Sequence, residues 1–255
     1  MASEFTLGEI AVSQTIHRAT EIIELLAASP RSLNEVATHF EVHRTTVFRQ
    51  LQTLERAGFV MHRADGQYAI GTRIIAIAQQ ALDNFDLRRV AHEELRALQR
   101  RVGTTVHLAQ LLERSVVYID KVEGDSSVRM YSRIGLPVLP QATGVGKVIL
   151  AQLPSQRRDE LLAGTEWTAF TGTTHTSRAS LDADLATISG RGWGVDDSEF
   201  EDFMNCIAAP IANSTGTVLG ALSISSIKVV NDLDALRRHL PDLLDTTARI
   251  SAQLG

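Results

Sequence analysis

The stretch Ser32–Ile70, SLNEVATHFEVHRTTVFRQLQTLERAGFVMHRADGQYAI, constrains the fold more than any other part of the chain. Ser32 with Glu35 three residues on is a capping box, so a helix starts there, with Val36, Ala37 and Phe40 as its apolar side. That helix closes near His39 or Phe40. After the joint Glu41-Val42-His43 a second helix runs from Arg44 to Ala57, turning Val47, Leu51 and Leu54 inward at spacings of four and three. Thr45, Thr46, Arg49, Gln50 and Gln52 are left to face outward, and Gly58 stops the helix. Phe59–Arg63 and Gln67–Ile70 alternate as strands around Asp65-Gly66, a pair that tight hairpin turns favour. Two short helices around a turn, followed by a hairpin, form a winged helix-turn-helix, whose second helix lies in the major groove of DNA.

A helix pair packed on a small sheet also occurs in enzymes, and charge placement separates the two readings. Between His43 and Arg63 four arginines, Arg44, Arg49, Arg56 and Arg63, stand against Glu55, a local net of +3 in a chain of formal net charge −5. Positive charge therefore sits where phosphate would lie. The sequence pI of about 5.9 argues against a protein that coats nucleic acid without specificity, which needs basic charge spread over the surface. A single cysteine, Cys206, excludes an internal disulfide framework and any multi-cysteine zinc site; no metal and no cofactor are expected. No apolar run approaches the roughly 18 residues that span a membrane. The first residues lack a basic segment and an apolar core, so a cytoplasmic protein is expected.

Taken in order, Ser13–Ala28 is a helix with Ile16, Ala19, Ile23 and Leu26 on one face, stopped by Ser29-Pro30. A first domain, residues 1–71, is thereby complete. Thr72–Phe85 is a linker helix whose stripe of Ile74, Ala78, Ala81 and Phe85 has near-heptad spacing and no large core of its own to bury against, which favours a dimer contact. Residues 86–255 read as α+β. A long helix Leu87–Val102 precedes strands Thr105–Leu111, Ser115–Val122 and Val128–Ile134 at hairpin spacings. Helices follow over Gly144–Gln152, Ser155–Ala163 and Ser180–Arg191, with strands over Gly192–Asp196, Cys206–Ala212 and Val218–Ile224. Asn231–Leu254 closes the chain as one helix kinked near Pro241 or as two. The sheet is expected to be mainly antiparallel.

The segments VHRTTVFRQLQTLERAGFV, QYAIGTRI, VRMYSRIGLPVLPQATGVGKVILAQLP, RGWGVDDSEFEDFMNCIAAPI and GALSIS resemble the IclR family of bacterial transcription regulators, over nearly the whole chain. The resemblance implies a winged helix-turn-helix, a linker helix and a GAF-like effector domain. It also implies a homodimer formed through the N-terminal region, with a dimer of dimers as the larger assembly. The partners it implies are double-stranded operator DNA, contacted by Arg44, Thr45, Thr46, Arg49, Gln50, Gln52 and Arg63, and a small-molecule effector.

Carried over position by position, the family's effector pocket implies Met130, Gly144, Val145, Asp196, Cys206, Ser223 and Ser225 as ligand-binding residues. The residue chemistry is compatible. Ser223 and Ser225 are two apart on a strand, so both hydroxyls share one face. Gly144 opens a helix whose free N–H groups favour an anion, which suits a carboxylate effector. Asp196 would repel such an anion unless it accepts a hydrogen bond from the ligand or only holds the backbone. Without the family context the serines would simply bond neighbouring backbone, Cys206 would be a small apolar residue and Asp196 part of a solvated acidic turn. The chain also departs from the family pattern. Glu41 and His43 stand where many relatives have glycine and proline, Gln50 where leucine is usual, and Val145 where a smaller residue is common.

Two other functions compete. Gly144-Val145-Gly146-Lys147-Val148 superficially resembles a phosphate loop, but Gln141 occupies the position of its first glycine and Val148 that of its Ser or Thr. Cys206 as a nucleophile would need a histidine base, and His175 and His239 lie in segments without a catalytic motif. The other alternative is a ligand sensor whose winged helix contacts protein; the arginine patch favours DNA.

Overall fold

The computed structural model describes residues 13–83, 86–124 and 132–254, and its contacts divide the chain into two units, at Leu82/Asp83. In the first, α1 (Gln14–Ala28), α2 (Leu33–His39) and α3 (Arg44–Arg56) pack on a small antiparallel sheet. Its strands β1 (Arg31–Ser32), β2 (Val60–His62) and β3 (Gln67–Ile70) lie in the order β1-β3-β2. The two-residue β1 is too short to carry a periodic signal. The capping box forms: Glu35 N–H donates to Ser32 Oγ at 3.3 Å, and Ser32 N–H to Glu35 Oε2 at 2.7 Å. Ile22, Leu26, Val36, Val47, Leu51, Leu54, Val60 and Tyr68 are the core.

Two details of this unit differ from expectation. Ile16 is 67% exposed, because α1 turns Ile22 and Leu26 inward, with Ala19 and Ile23 packed beside them. At the wing, Gly66 has φ +81° while Asp65 keeps an ordinary negative φ. The connection is thus a four-residue turn in which Gly66 N–H donates to Arg63 O at 3.0 Å, in place of a two-residue turn that needs both central φ angles positive. The helix α4 (Thr72–Asp83) follows with no buried residue over 72–81, Ala78 and Ala81 lying exposed on it; Phe85, the end of the expected stripe, lies outside the described residues.

The second unit is built on one antiparallel sheet of β4 (Thr105–Leu111), β5 (Val116–Val122), β6 (Gly194–Asp197), β7 (Met204–Ala212) and β8 (Val218–Ile227), in the order β5-β4-β8-β7-β6. Period-2 alternation gives each face its own core. Val106, Leu108, Ile207, Leu222 and Ile224 pack under α5 (Asp86–Val102), α9 (Leu233–Arg237) and α10 (Leu240–Ala252). The other face carries Ala109, Ala208 and Ala221 against α6 (Gly144–Gln152) and α8 (Arg178–Arg191), while α7 (Ser155–Leu161) joins those two helices along the chain. The C-terminal segment resolves into two helices. Of the expected strand Val128–Ile134, residues 128–131 lie outside the described residues and 132–134 are not extended strand; an isolated bridge, Val117 to Pro137, extends this edge.

Candidate functional site

The exposed face of α3 is the first candidate. With Val47, Leu51 and Leu54 buried, 100° per residue turns Thr45, Arg49, Gln52 and Arg56 outward with Thr46 beside them, Gln52 being half-buried, while Arg44 is exposed in the first turn. His43 starts the helix, its Nδ1 accepting from Thr45 N–H at 3.3 Å in the role a Ser or Asp usually takes. Among the described residues Arg44, Arg49 and Arg56 form no ion pair, so their charge is open to an anion. Arg63, on the wing, pairs with Asp65 at 3.1 Å. Gln50 is half-buried and, with Thr46 and Arg49, lines a groove against Thr15 and Ala19 of α1; its Oε1 is buried without a hydrogen bond among the described residues. Of the seven residues expected at DNA, Gln50 is therefore the one turned toward the protein.

The second candidate is a cavity of about 290 Å³ against the sheet face carrying Cys206 and Ser225, a volume on the order of ten waters. Antiparallel register assembles its polar wall: Cys206 opposes both Asp196 and Ser225, and His107 opposes Ser223. Asp196, Cys206 and Ser225 line the cavity with His107, Tyr118, Ser132, Thr143, Glu201 and Asn205; Pro137, Val138, Leu139, Phe200 and Met204 supply apolar surface. Gly144, Val145 and Ser223 are buried and do not line the cavity, Ser223 sharing the face of β8 that carries Ser225. Gly144 is held there by close packing, since a Cβ on it would lie 2.5 Å from Cys206 Sγ. Met130 lies outside the described residues.

Sequence reasoning missed His107, Tyr118, Ser132, Thr143 and Glu201. A signal existed for His107, a ring between Val106 and Leu108 on a strand that places it on the same face as Thr105 and Ala109. Burial, with Lys121 nearby, lowers its pKa to about 3, so it is neutral; its Nε2 meets Ser132 Oγ at 2.7 Å and its Nδ1 meets Ser225 Oγ at 3.3 Å. Burial also pushes the Cys206 thiol to about 12 and raises Tyr118, so both stay protonated. Asp196 is the exception. Burial, reinforced by Glu199, raises it to about 7 against the help of the Glu199 N–H, which donates to Oδ1 at 2.7 Å.

Thr143 links the cavity to α6: its Oγ1 accepts from Gly146 N–H at 3.3 Å as the helix cap. One turn on, Lys147 is fully buried and donates to Glu199 Oε1 at 2.5 Å and Asp184 Oδ2 at 2.6 Å. Burial pulls its pKa down, but the two carboxylates outweigh burial and hold it charged. Burial pushes Glu199 upward against the pull of Lys147, and the short contact decides for the ionised pair. His175 Nε2 lies 3.4 Å from Asp184 and 3.6 Å from Glu199. The Lys147 ammonium already supplies the positive charge of this cluster, so it is an ion-pair network bracing the loop that carries Glu199 and Glu201.

A helix-turn-helix with an open cationic face, in one chain with a unit that encloses a polar cavity, is the arrangement of a transcription regulator with a DNA-binding and a ligand-binding domain. The profile of the IclR helix-turn-helix domain matches residues 15–64, and that of the bacterial transcriptional regulator IclR C-terminal domain matches residues 79–252. The chain belongs to the IclR family of bacterial transcriptional regulators, with a helix-turn-helix DNA-binding domain and a C-terminal ligand-binding domain. It is 33% identical to the HTH-type transcriptional regulator KdgR of Escherichia coli over 88% of this chain and 85% of that one. The crystal structure of the Thermotoga maritima IclR superposes with a TM-score of 0.84 at 32% identity, covering 94% and 98% of the two chains. The fold is shared, at 20% identity and a TM-score of 0.80, by an IclR homolog from Microbacterium hydrocarbonoxydans complexed with 4-hydroxybenzoate, over 94% and 99% of the chains.

Proposed function

We propose that this protein binds a roughly palindromic operator as a homodimer, and that a small organic acid in the 290 Å³ cavity controls that binding. The observation that carries the reading is this cavity, walled by polar groups from five strands, in the same chain as an arginine face that forms no ion pair among the described residues. Arg44 and Gln52 are assigned to base edges, Arg49 and Arg63 to phosphates, with Thr45 and Thr46 beside them; Gln50 supports the helix. The N–H groups opening α6 behind Thr143 and the hydroxyl of Ser225 favour a carboxylate. The bound 4-hydroxybenzoate of the Microbacterium homolog is an acid of fitting size. Cys206 completes the polar wall, and Ser223 supports it from the same face of β8 as Ser225.

The dimer is assigned to residues 72–85, where Ile75 is 67% and Ile77 44% exposed on α4; a dimer of dimers is the larger assembly. No helix among the described residues is long and apolar enough to cross a membrane, and the site of action is taken to be the cytoplasm. Footprinting on the DNA upstream of its own gene tests the reading. Two protected half-sites about one helical turn or a multiple apart are expected, their protection altered by an acid that raises the melting temperature. Absence of any protected site overturns it.

A further inference from the structure

We infer that the effector carboxylate and the Asp196 carboxyl share one proton, so that the acid is taken up together with a proton from solvent. The inference rests on the carboxylate reading above. Among the described residues no Lys or Arg lines the cavity, yet Asp196 and Glu201 both do. Asp196 Oδ1 accepts from Glu199 N–H, which leaves Oδ2 for the cavity.

Lys147 eases the ionisation of Asp196, but burial and the charge of Glu199 outweigh it, and the other described groups around Asp196 add no positive charge. Asp197 on its own strand and Glu199 and Glu201 on the following loop are acids, and Cys206 on β7 and Tyr118 on β5 are held neutral by burial. From β4, His107 is neutral and bonded to serines. From α6, Lys147 is spent on Glu199 and Asp184, and β8 offers only hydroxyls. An ionised ligand beside an ionised Asp196 would therefore place two negative charges together in a buried wall. One proton between them turns repulsion into a charge-assisted O–H···O hydrogen bond. No covalent bond changes. With Asp196 half-protonated near pH 7, the free protein already holds this proton at pH 6 and must take it up at pH 8.

The test uses the full chain with 4-hydroxybenzoate, pyruvate and gluconate, each beside its amide. Titration calorimetry at pH 8 in phosphate and in Tris should give an uptake of about one proton per acid bound, falling toward zero at pH 6. The dissociation constant should be about tenfold weaker at pH 8 than at pH 6. In Asp196→Asn the uptake should vanish and acid binding at pH 8 should tighten about tenfold, which no purely structural role of Asp196 predicts. Acid binding without proton uptake overturns this inference and leaves the carboxylate reading standing. Amides bound as well as acids, or no acid bound, overturn both. Independently of any ligand, infrared difference spectra of wild type against Asp196→Asn at pH 6 should show a protonated carboxyl band; its absence overturns the inference.

Discussion

The two units put their chemistry on opposite sides of the protein surface. In the N-terminal unit the functional groups are outside: Arg44, Arg49 and Arg56 are exposed and form no ion pair among the described residues, over a core of Val47, Leu51 and Leu54. In the C-terminal unit they are inside: Lys147 is fully buried, and Asp196, His107 and Cys206 are each 9% exposed or less. Water screens the first set, so each residue acts nearly alone and loses little on mutation except its contact with DNA. Burial couples the second set, so a single change leaves an uncompensated charge behind. Charge removal should therefore cost stability inside the C-terminal unit and DNA affinity alone in the N-terminal one.

The largest effect belongs to Lys147. Lys147→Met strands Glu199 and Asp184 beside each other, and breaking a buried pair in this way costs about 3 to 5 kcal/mol. Urea unfolding should show this loss, and adding Glu199→Gln and Asp184→Asn should recover much of it. A single mutant as stable as wild type would dissolve the contrast between the units.

Next come the arginines. Arg44→Ala is expected to weaken operator binding by about 1 to 3 kcal/mol and to relax sequence preference at one position. Arg49→Ala should weaken binding to all sequences alike and lower the salt slope by about 1. Neither should move the unfolding midpoint. Gel shifts over a salt series, with thermal unfolding alongside, check both halves of that statement.

The helix-turn-helix was legible because its signals are local: Ser32 and Glu35 are three residues apart, and Val47, Leu51 and Leu54 lie within one helix. Five strands of the second unit were legible to within a few residues, whereas residues 132–134 of the expected strand Val128–Ile134 are not strand. The cavity was not, because its wall is made by register. Nothing in the sequence near His107 says that it meets Ser225, 118 residues away. The family resemblance supplied Asp196, Cys206 and Ser225, while the neutral groups that complete the wall, Tyr118, Thr143 and His107, required the sheet.

Two of those cavity groups give stability opposite dependences on pH. Asp196 has a folded pKa raised to about 7, so the folded state holds its proton more tightly and stability falls as pH rises from about 4 to 7. His107, lowered to about 3, binds its proton less tightly when folded, so stability falls as pH drops from about 6.5 to 3. The two slopes oppose one another between pH 4 and 6.5 and partly cancel. Asp196→Asn should therefore raise the melting temperature at pH 8 by several degrees while leaving a steeper loss on acidification. His107→Gln should do the reverse, flattening the acid side. A melting temperature in Asp196→Asn that follows wild type across pH 4 to 8 would mean that Asp196 is ionised throughout.

The smallest effect lies in the joint between α2 and α3, and it tests whether the N-terminal unit also stores strain. Glu41 has φ +52°, in the left-handed region that costs a residue with a Cβ roughly 1 to 2 kcal/mol. Its N–H donates to Thr38 O at 3.2 Å, and Val42 N–H donates to Ala37 O at 3.1 Å, so the backbone is fixed by hydrogen bonds and cannot relax. Glycine adopts this conformation without a clash but gains freedom in the unfolded chain, which returns about 0.5 to 1 kcal/mol. Glu41→Gly should therefore stabilise the N-terminal unit by about 0.5 to 1 kcal/mol with an unchanged denaturant slope. It also removes a negative charge ahead of the arginine helix, so operator binding should rise slightly at low salt and converge with wild type at high salt. A destabilised Glu41→Gly would show that the Glu41 side chain holds the joint through contacts worth more than the strain it bears.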